Sequence, residues 1–268
     1  MGSVELPAMK TKPKIIFFTD FDGTITLKDS MSPLPVLHGP STRSPTDNLG
    51  YGQEKRRQGN FDVLENKMTF RDSFREMLDS VKTPFNECIR ILLENMELDP
   101  HFTEFYNWAR AHNVPIVILS SGMVPIIHAL LVKLLGHEPD NIQIVANQVA
   151  SRDGKAINSE GGWQIVYHDD SHFGHDKSLE IKPYAALPAD QRPTLLYAGD
   201  GVSDLSAASQ TDLLFAKKGR DLVTYCQREK IPYAVFEDWS SILQTTKEIW
   251  EGTTDTKTVA QGVSGASF

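Results

Sequence analysis

The chain of 268 residues has only two cysteines, Cys88 and Cys226, far apart in sequence. A disulfide framework is therefore not expected, and a reducing, cytosolic compartment is. No run of about eighteen apolar residues is present, so no membrane-spanning helix is expected. The opening MGSVELPAMKTKPK lacks the apolar stretch of a secretory signal. Leu6 stands where an N-myristoylation pattern starting at Gly2 needs Ser or Thr. Positive charge is also short, with 27 Lys and Arg against 35 Asp and Glu and a formal net charge of −8. That balance argues against nucleic acid and anionic membranes as partners, since both select a basic surface. What remains is 40% apolar, 9% aromatic and 23% charged, the composition of a soluble globular enzyme. A chain of this length buries a core without disulfides or a structural metal.

Apolar runs organise the rest. Lys14 to Thr19, Val114 to Leu119 and Thr194 to Ala198 are continuous, β-branched or aromatic stretches, as strands buried on both faces require. Shorter runs follow at Leu213 to Ala216 and Tyr233 to Phe236. Helical patterns lie between them at Val124 to Leu135 (closed by Gly136), Arg220 to Glu229 and Ser240 to Trp250. The alternation predicts an α/β fold with a doubly wound parallel sheet. Residues 50–112 read as helical throughout, with Thr83-Pro84 and Asp99-Pro100 as N-cap and first-turn pairs. That interval is far longer than one crossover needs, which predicts a helical insert over the sheet end. Met31 to Pro45 carries four prolines and reads as loop, and Arg152-Asp153-Gly154-Lys155 marks a hairpin within 142–170. The expected division is an α/β core of 13–28 and 113–251, an insert of 29–112, and a flexible tail of 252–268.

Three of these strands end in chemistry. The first runs into Asp20-Phe21-Asp22-Gly23-Thr24, placing two carboxylates at the carboxyl edge of the sheet, where such sheets bind ligands. The plainer reading is an Asp-Gly turn; an EF-hand is excluded by Ile25 and Met31 at its Gly and Glu positions. The second strand ends in Ser120-Ser121-Gly122-Met123, either a simple helix N-cap or a phosphate seat. The third ends in Gly199-Asp200-Gly201-Val202-Ser203-Asp204, where Asp204 replaces the third glycine of a dinucleotide loop. Converging carboxylates of this kind suit Mg²⁺ with a substrate phosphate. One aspartate is then a nucleophile and a neighbour an acid/base, with Lys177 as the candidate balancing cation.

With these motifs in order along nearly the whole chain, the sequence resembles the haloacid dehalogenase superfamily of phosphatases. Asp20-Phe21-Asp22-Gly23-Thr24 matches its first motif, Ser121-Gly122 the second, Lys177 the third, and Gly199-Asp200-Gly201 with Asp204 the fourth. The resemblance implies Asp20 as the nucleophile that takes up the phosphoryl group and Asp22 as acid, then base. It further implies Mg²⁺ on the Asp20 carboxylate, the Asp22 carbonyl and Asp200, with Asp204 in support directly or through water. Ser121, Gly122 and Lys177 are implied as the phosphate seat, and the helical insert as a cap that reads the leaving group. Within the superfamily the chain is similar to phosphoserine phosphatases, and more so to fungal polyol-phosphate phosphatases. TDFDGTITLKDS, LGYGQEKR, SSGMVPII, FGHDKS and GDGVSDLSAA carry the second likeness.

Departures bear on substrate. Met77 stands where phosphoserine phosphatases carry the Arg that reads the substrate carboxylate, Asp29 replaces a Glu and Ser203 an Asn. Losing a bidentate Arg lowers phosphoserine and raises a neutral polyol or sugar phosphate. The Pro-rich 31–45 segment has no counterpart in those relatives, leaving a metabolite-phosphate binding protein without turnover as an alternative. A dehalogenase is disfavoured by Asp22, Asp200 and Asp204 together. His168 to Asp176 holds three histidines, and His168 and His172 lie four apart. The intervening Asp and Gly residues oppose a helix there, so polar loop is preferred over a zinc site. Lys55-Arg56-Arg57 reads as a solvated face, and Phe102, Phe105 and Trp108 as core.

Overall fold

The computed structural model describes residues 6–27, 49–65 and 67–264. The Pro-rich 31–45 segment and Asp29 lie outside the described residues. At the centre is β1 (Ile15–Thr19), with every side chain buried. Strand side chains alternate between faces, so Ile15 and Phe17 enter one apolar layer with Phe105 and Trp239. Ile16 and Phe18 enter the other, with Ile181, Tyr184 and Leu222. β2 (Ile116–Met123), β5 (Thr194–Gly199) and β6 (Leu213–Lys217) divide in the same way. This two-sided burial is the reason their sequences are unbroken apolar runs rather than alternating ones.

The seven-stranded sheet has the order β4 (Trp163–Val166), β3 (Ile142–Ser151), β2, β1, β5, β6, β7 (Ala234–Phe236). β7 joins parallel to β6 and β3 parallel to β2, whereas β4 is antiparallel to β3. The α/β parallel architecture expected from the sequence is therefore present. β1 pairs with β2 on one side and β5 on the other, so a crevice opens at their carboxyl ends.

Among the described residues, four helices separate β1 from β2: α1 (Gln53–Leu64), α2 (Phe70–Asp79), α3 (Phe85–Asn95) and α4 (Phe102–Ala111). α4 packs on the sheet itself, the Phe105 ring standing edge-on to Phe17 at 4.7 Å and lying 4.8 Å from Trp239. Phe102 and Phe105 are thus core, and Trp108 stacks half-buried on His112. The later helices are α5 (Val124–Leu135), α6 (Lys177–Ala185), α7 (Leu205–Ala208), α8 (Asp221–Glu229) and α9 (Trp239–Glu251). None of the described helices is long and apolar enough to cross a membrane.

Local differences from the sequence pattern have tertiary causes. α3 and α4 begin later than their Thr-Pro and Asp-Pro pairs predict. The Thr83 carbonyl is taken by the Trp163 indole at 2.9 Å. Asp99 spends one carboxylate oxygen on the His101 amide and the other on the Trp239 amide, linking the starts of α4 and α9. The β3–β4 connection is a longer loop than a tight hairpin, with Asp153 and Gly154 both at positive φ. Residues 256–264, expected as flexible tail, form α10 (Thr256–Ser264), which lays Val259 and Ala260 against the first apolar layer. Sparse apolar residues among polar ones concealed that helix, because packing rather than propensity sustains it.

Candidate active site

Asp20 follows the last residue of β1, and its amide donates to the Ala198 carbonyl at 2.9 Å. This bond continues the β1–β5 ladder and pins the residue at the sheet edge. Its Oδ1 accepts the Phe21 amide at 2.8 Å and faces Lys177 Nζ at 2.9 Å. The chain then turns tightly: the Ile25 and Thr26 amides both reach the Phe21 carbonyl, and the Gly23 amide donates to Thr26 Oγ1. Gly23 has φ +75°, and a Cβ there would lie 2.1 Å from Asp200 Oδ2. Glycine lets this loop lie directly against the end of β5. Asp22 Oδ2 lies on the opposite side, 3.5 Å from where a Gly122 side chain would begin.

Asp204 organises the β5 loop. Its Oδ2 accepts the Asp200 and Gly201 amides at 2.9 and 3.0 Å. Its Oδ1 accepts Lys177 Nζ at 2.7 Å and the Tyr197 hydroxyl at 2.6 Å. Asp204 has no exposed surface and Lys177 almost none. Four such partners occupy the lone pairs of a carboxylate. Asp204 therefore holds Lys177 and aims Asp200, and direct metal ligation by it would cost one of these bonds. Asp200 itself lies 3.9 Å from Arg220 Nε.

The cluster shifts its own ionisation. Burial is the largest influence on Asp20 and, with the Asp204 and Asp22 charges and against the pull of Lys177, pushes its carboxyl up to about 7. Burial alone would lower Lys177, but Asp20 and Asp204 outweigh it and keep the ammonium above its ordinary value. Lys177 is thus a fixed positive charge at the crevice floor. The first residue of α6, it is placed by Asp176, whose side chain caps the helix through the Ser178 amide.

At the end of β2, Ser120 Oγ accepts the Gly122 amide at 3.0 Å. Ser121 belongs to the strand end, where the register with β3 shifts, and α5 starts only at Val124. It is therefore not a helix N-cap. Its carbonyl accepts Asn147 Nδ2 at 2.7 Å, yet its buried Oγ has no hydrogen-bond partner among the described residues. A buried hydroxyl left in that state marks a place for an absent oxygen.

Four residues of this neighbourhood were not assigned to it from sequence, His175 having been read only within the His-rich loop. Tyr197 and Arg220 flank the carboxylates. Fully buried Asn147 ties the Ser121 carbonyl to the His168 amide; nothing in the β3 sequence distinguished it from Gln143 and Gln148. His175, also buried, bonds the Ser120 carbonyl through Nδ1 at 2.9 Å. Burial, its largest influence, lowers the His175 imidazole to about 4.

Asp20, Asp200 and Asp204 bring one carboxylate oxygen each within 4.8 Å of one another. An all-oxygen donor set of this kind fits Mg²⁺.

The haloacid dehalogenase-like hydrolase family matches residues 17–209. Pdp3-interacting factor 1 of Schizosaccharomyces pombe is 46% identical over 90% of this chain and 99% of its own length. Polyol phosphate phosphatase PYP1 of Saccharomyces cerevisiae is also 46% identical, over 92% of this chain and 98% of that protein. A solved phospho-aspartyl intermediate analogue of phosphoserine phosphatase superposes with a TM-score of 0.59 at 16% identity, covering 87% of this chain and 98% of that one; it speaks to the fold alone. The chain belongs to the haloacid dehalogenase-like hydrolases.

Proposed function

We propose that the chain is a Mg²⁺-dependent phosphomonoester hydrolase working through a phosphoryl group carried on Asp20. One observation carries this reading: Asp20 lies against the buried ammonium of Lys177 at 2.9 Å, at the sheet edge where neighbouring β2 ends with the Ser121 hydroxyl, unpartnered among the described residues. Asp20 attacks the phosphorus and the bond to the substrate alcohol breaks, while Asp22 donates a proton to the departing oxygen. Asp22, now ionised, takes a proton from a water that attacks the same phosphorus. Inorganic phosphate leaves and Asp20 is restored. Lys177 and the Ser121 hydroxyl would face the phosphoryl oxygens, and the Gly122 amide would reach them by giving up its bond to Ser120 Oγ. The Asp20 carboxylate, the Asp22 carbonyl and Asp200 would hold Mg²⁺, which supplies positive charge against those oxygens and favours ionised Asp20.

The substrate is a small phosphorylated metabolite, a polyol or sugar phosphate before phosphoserine. The name of the yeast relative supports a polyol phosphate. Met77, on α2, is buried in the apolar layer and offers no charge for a substrate carboxylate. Residues 29–112 are read as the cap, with α4 seated on the sheet. A full set of catalytic side chains weighs against a binding protein without turnover. Free, buried Cys88 and Cys226 accord with a cytosolic setting.

A phosphate-release screen over polyol phosphates, sugar phosphates, phosphoserine and nucleotides, with and without Mg²⁺, tests the reading. Mg²⁺-dependent release that is highest on a polyol or sugar phosphate and abolished in Asp20→Asn is expected. Activity retained in folded Asp20→Asn overturns the mechanism.

A further inference from the structure

Between β4 and α6 the chain makes a loop whose bonds are largely its own. Asp169 accepts the Ser171 and Asp176 amides on its two carboxylate oxygens, at 2.8 and 2.7 Å, and its amide donates to the Gly174 carbonyl at 3.0 Å. Gly174 has φ +75° and presses on Tyr167, where a Cβ would come within 2.2 Å of the ring. This folding brings His168 and His175, seven residues apart, to a ring separation of 4.6 Å. Glu180, from the first turn of α6, completes the group, its Oε1 lying 2.8 Å from His168 Nε2. One nitrogen of each imidazole and one carboxylate oxygen lie within 4.8 Å of one another. His172, the histidine that sequence spacing paired with His168, is exposed and stands outside the group.

A second, independent feature is the state of His175. It is 1% exposed, and its Nδ1 is held by the Ser120 carbonyl at 2.9 Å. A carbonyl acceptor puts the proton on Nδ1 and leaves a lone pair on Nε2. That Nε2 is buried and has no hydrogen-bond partner among the described residues. A backbone carbonyl behind one ring nitrogen, with the other turned to the ion, is the usual support of a metal-ligating histidine.

We propose that His168, His175 and Glu180 form a second metal site, for a borderline divalent ion such as Zn²⁺. Two imidazoles and one carboxylate suit zinc or cobalt and not Mg²⁺, which selects oxygen. The site is therefore chemically distinct from the all-oxygen cluster of Asp20, Asp200 and Asp204. His168 and Glu180 are each about one-third exposed in the side chain, at 32% and 34%. They can close on an ion while a fourth position stays open to water. Through His175 the ion would brace the loop that runs from the Ser120 carbonyl, next to Ser121, to Lys177.

Chelator-stripped full-length protein, saturated with Mg²⁺, is titrated with Zn²⁺ by calorimetry and with Co²⁺ by visible absorption. One equivalent of each is expected, with a d–d spectrum showing nitrogen ligation. His168→Ala and Glu180→Gln, both at partly exposed positions, are expected to weaken binding by more than about tenfold. Asp200→Asn, in the other cluster, should leave it unchanged. No saturable binding in excess Mg²⁺ overturns the site, and so does binding that survives both variants or is lost in Asp200→Asn.

Discussion

Lys177 and Asp204 form a 2.7 Å ion pair from which solvent is excluded on both sides. Buried charges are stable only while partnered, and removing one member of a buried pair costs about 3–5 kcal/mol. Asp204 also carries two loop amides and the Tyr197 hydroxyl. Asp204→Asn keeps the shape and removes the charge, so Lys177 is left with Asp20 alone. It is expected to lower unfolding stability by about 2–4 kcal/mol and turnover by roughly a hundredfold or more. Urea unfolding and steady-state kinetics on one preparation measure both. An unchanged turnover would remove Asp204 from the site.

The contact between Gly23 and Asp200 gives a steric prediction. A methyl group at residue 23 meets Asp200 Oδ2 at 2.1 Å on a backbone with φ +75°. Neither the loop nor the carboxylate can keep its place. Gly23→Ala is expected to cost about 1–3 kcal/mol of stability. Turnover should fall roughly a hundredfold, as a misplaced carboxylate requires. Tighter Mg²⁺ binding in this variant would contradict the arrangement.

Ser121 separates function from folding. Its buried Oγ has no hydrogen-bond partner among the described residues, so deleting it removes an unsatisfied group and no described hydrogen bond. Ser121→Ala should change stability by no more than about 0.5 kcal/mol in either direction. The value of kcat/KM for a phosphomonoester should fall roughly ten- to a hundredfold, the loss of one oxyanion donor. A large stability loss with kinetics intact would place the hydroxyl in the fold instead of the site.

The candidate catalytic residues were legible because each stands where a buried apolar run stops. Asp20 and Asp200 follow strands that bury both faces, and Ser121 lies at the end of one, so a polar residue there has only the sheet edge to occupy. Lys177 was legible by its place ahead of a helix. What escaped notice depends on pairings distant in sequence. His168 meets Glu180 only once β4 lies antiparallel on β3 and the following loop folds on Tyr167. Saturation of Asp204 depends on Tyr197, one apolar-run residue among several until the strand is built. α10 escaped for a related reason, since Val259 and Ala260 become a helical face only against the apolar layer.

His175 supplies the pH dependence of the metal-free protein. Unfolded, its imidazole takes a proton near pH 6.5, whereas the folded environment, chiefly by burial, delays this to about 4. Lys177 and His168 oppose the proton and Glu180 favours it. Between those values the unfolded chain binds more protons than the folded one, so stability falls as pH falls. The contribution is whole above about pH 6.5 and lost progressively towards pH 4, at most about 3 kcal/mol. His175→Gln cannot titrate, so its stability should decline less over this window in the presence of chelator. Denaturant unfolding of both proteins at half-unit steps from pH 7 to pH 4 checks it. Parallel curves would mean that the folded imidazole takes its proton at an ordinary pH.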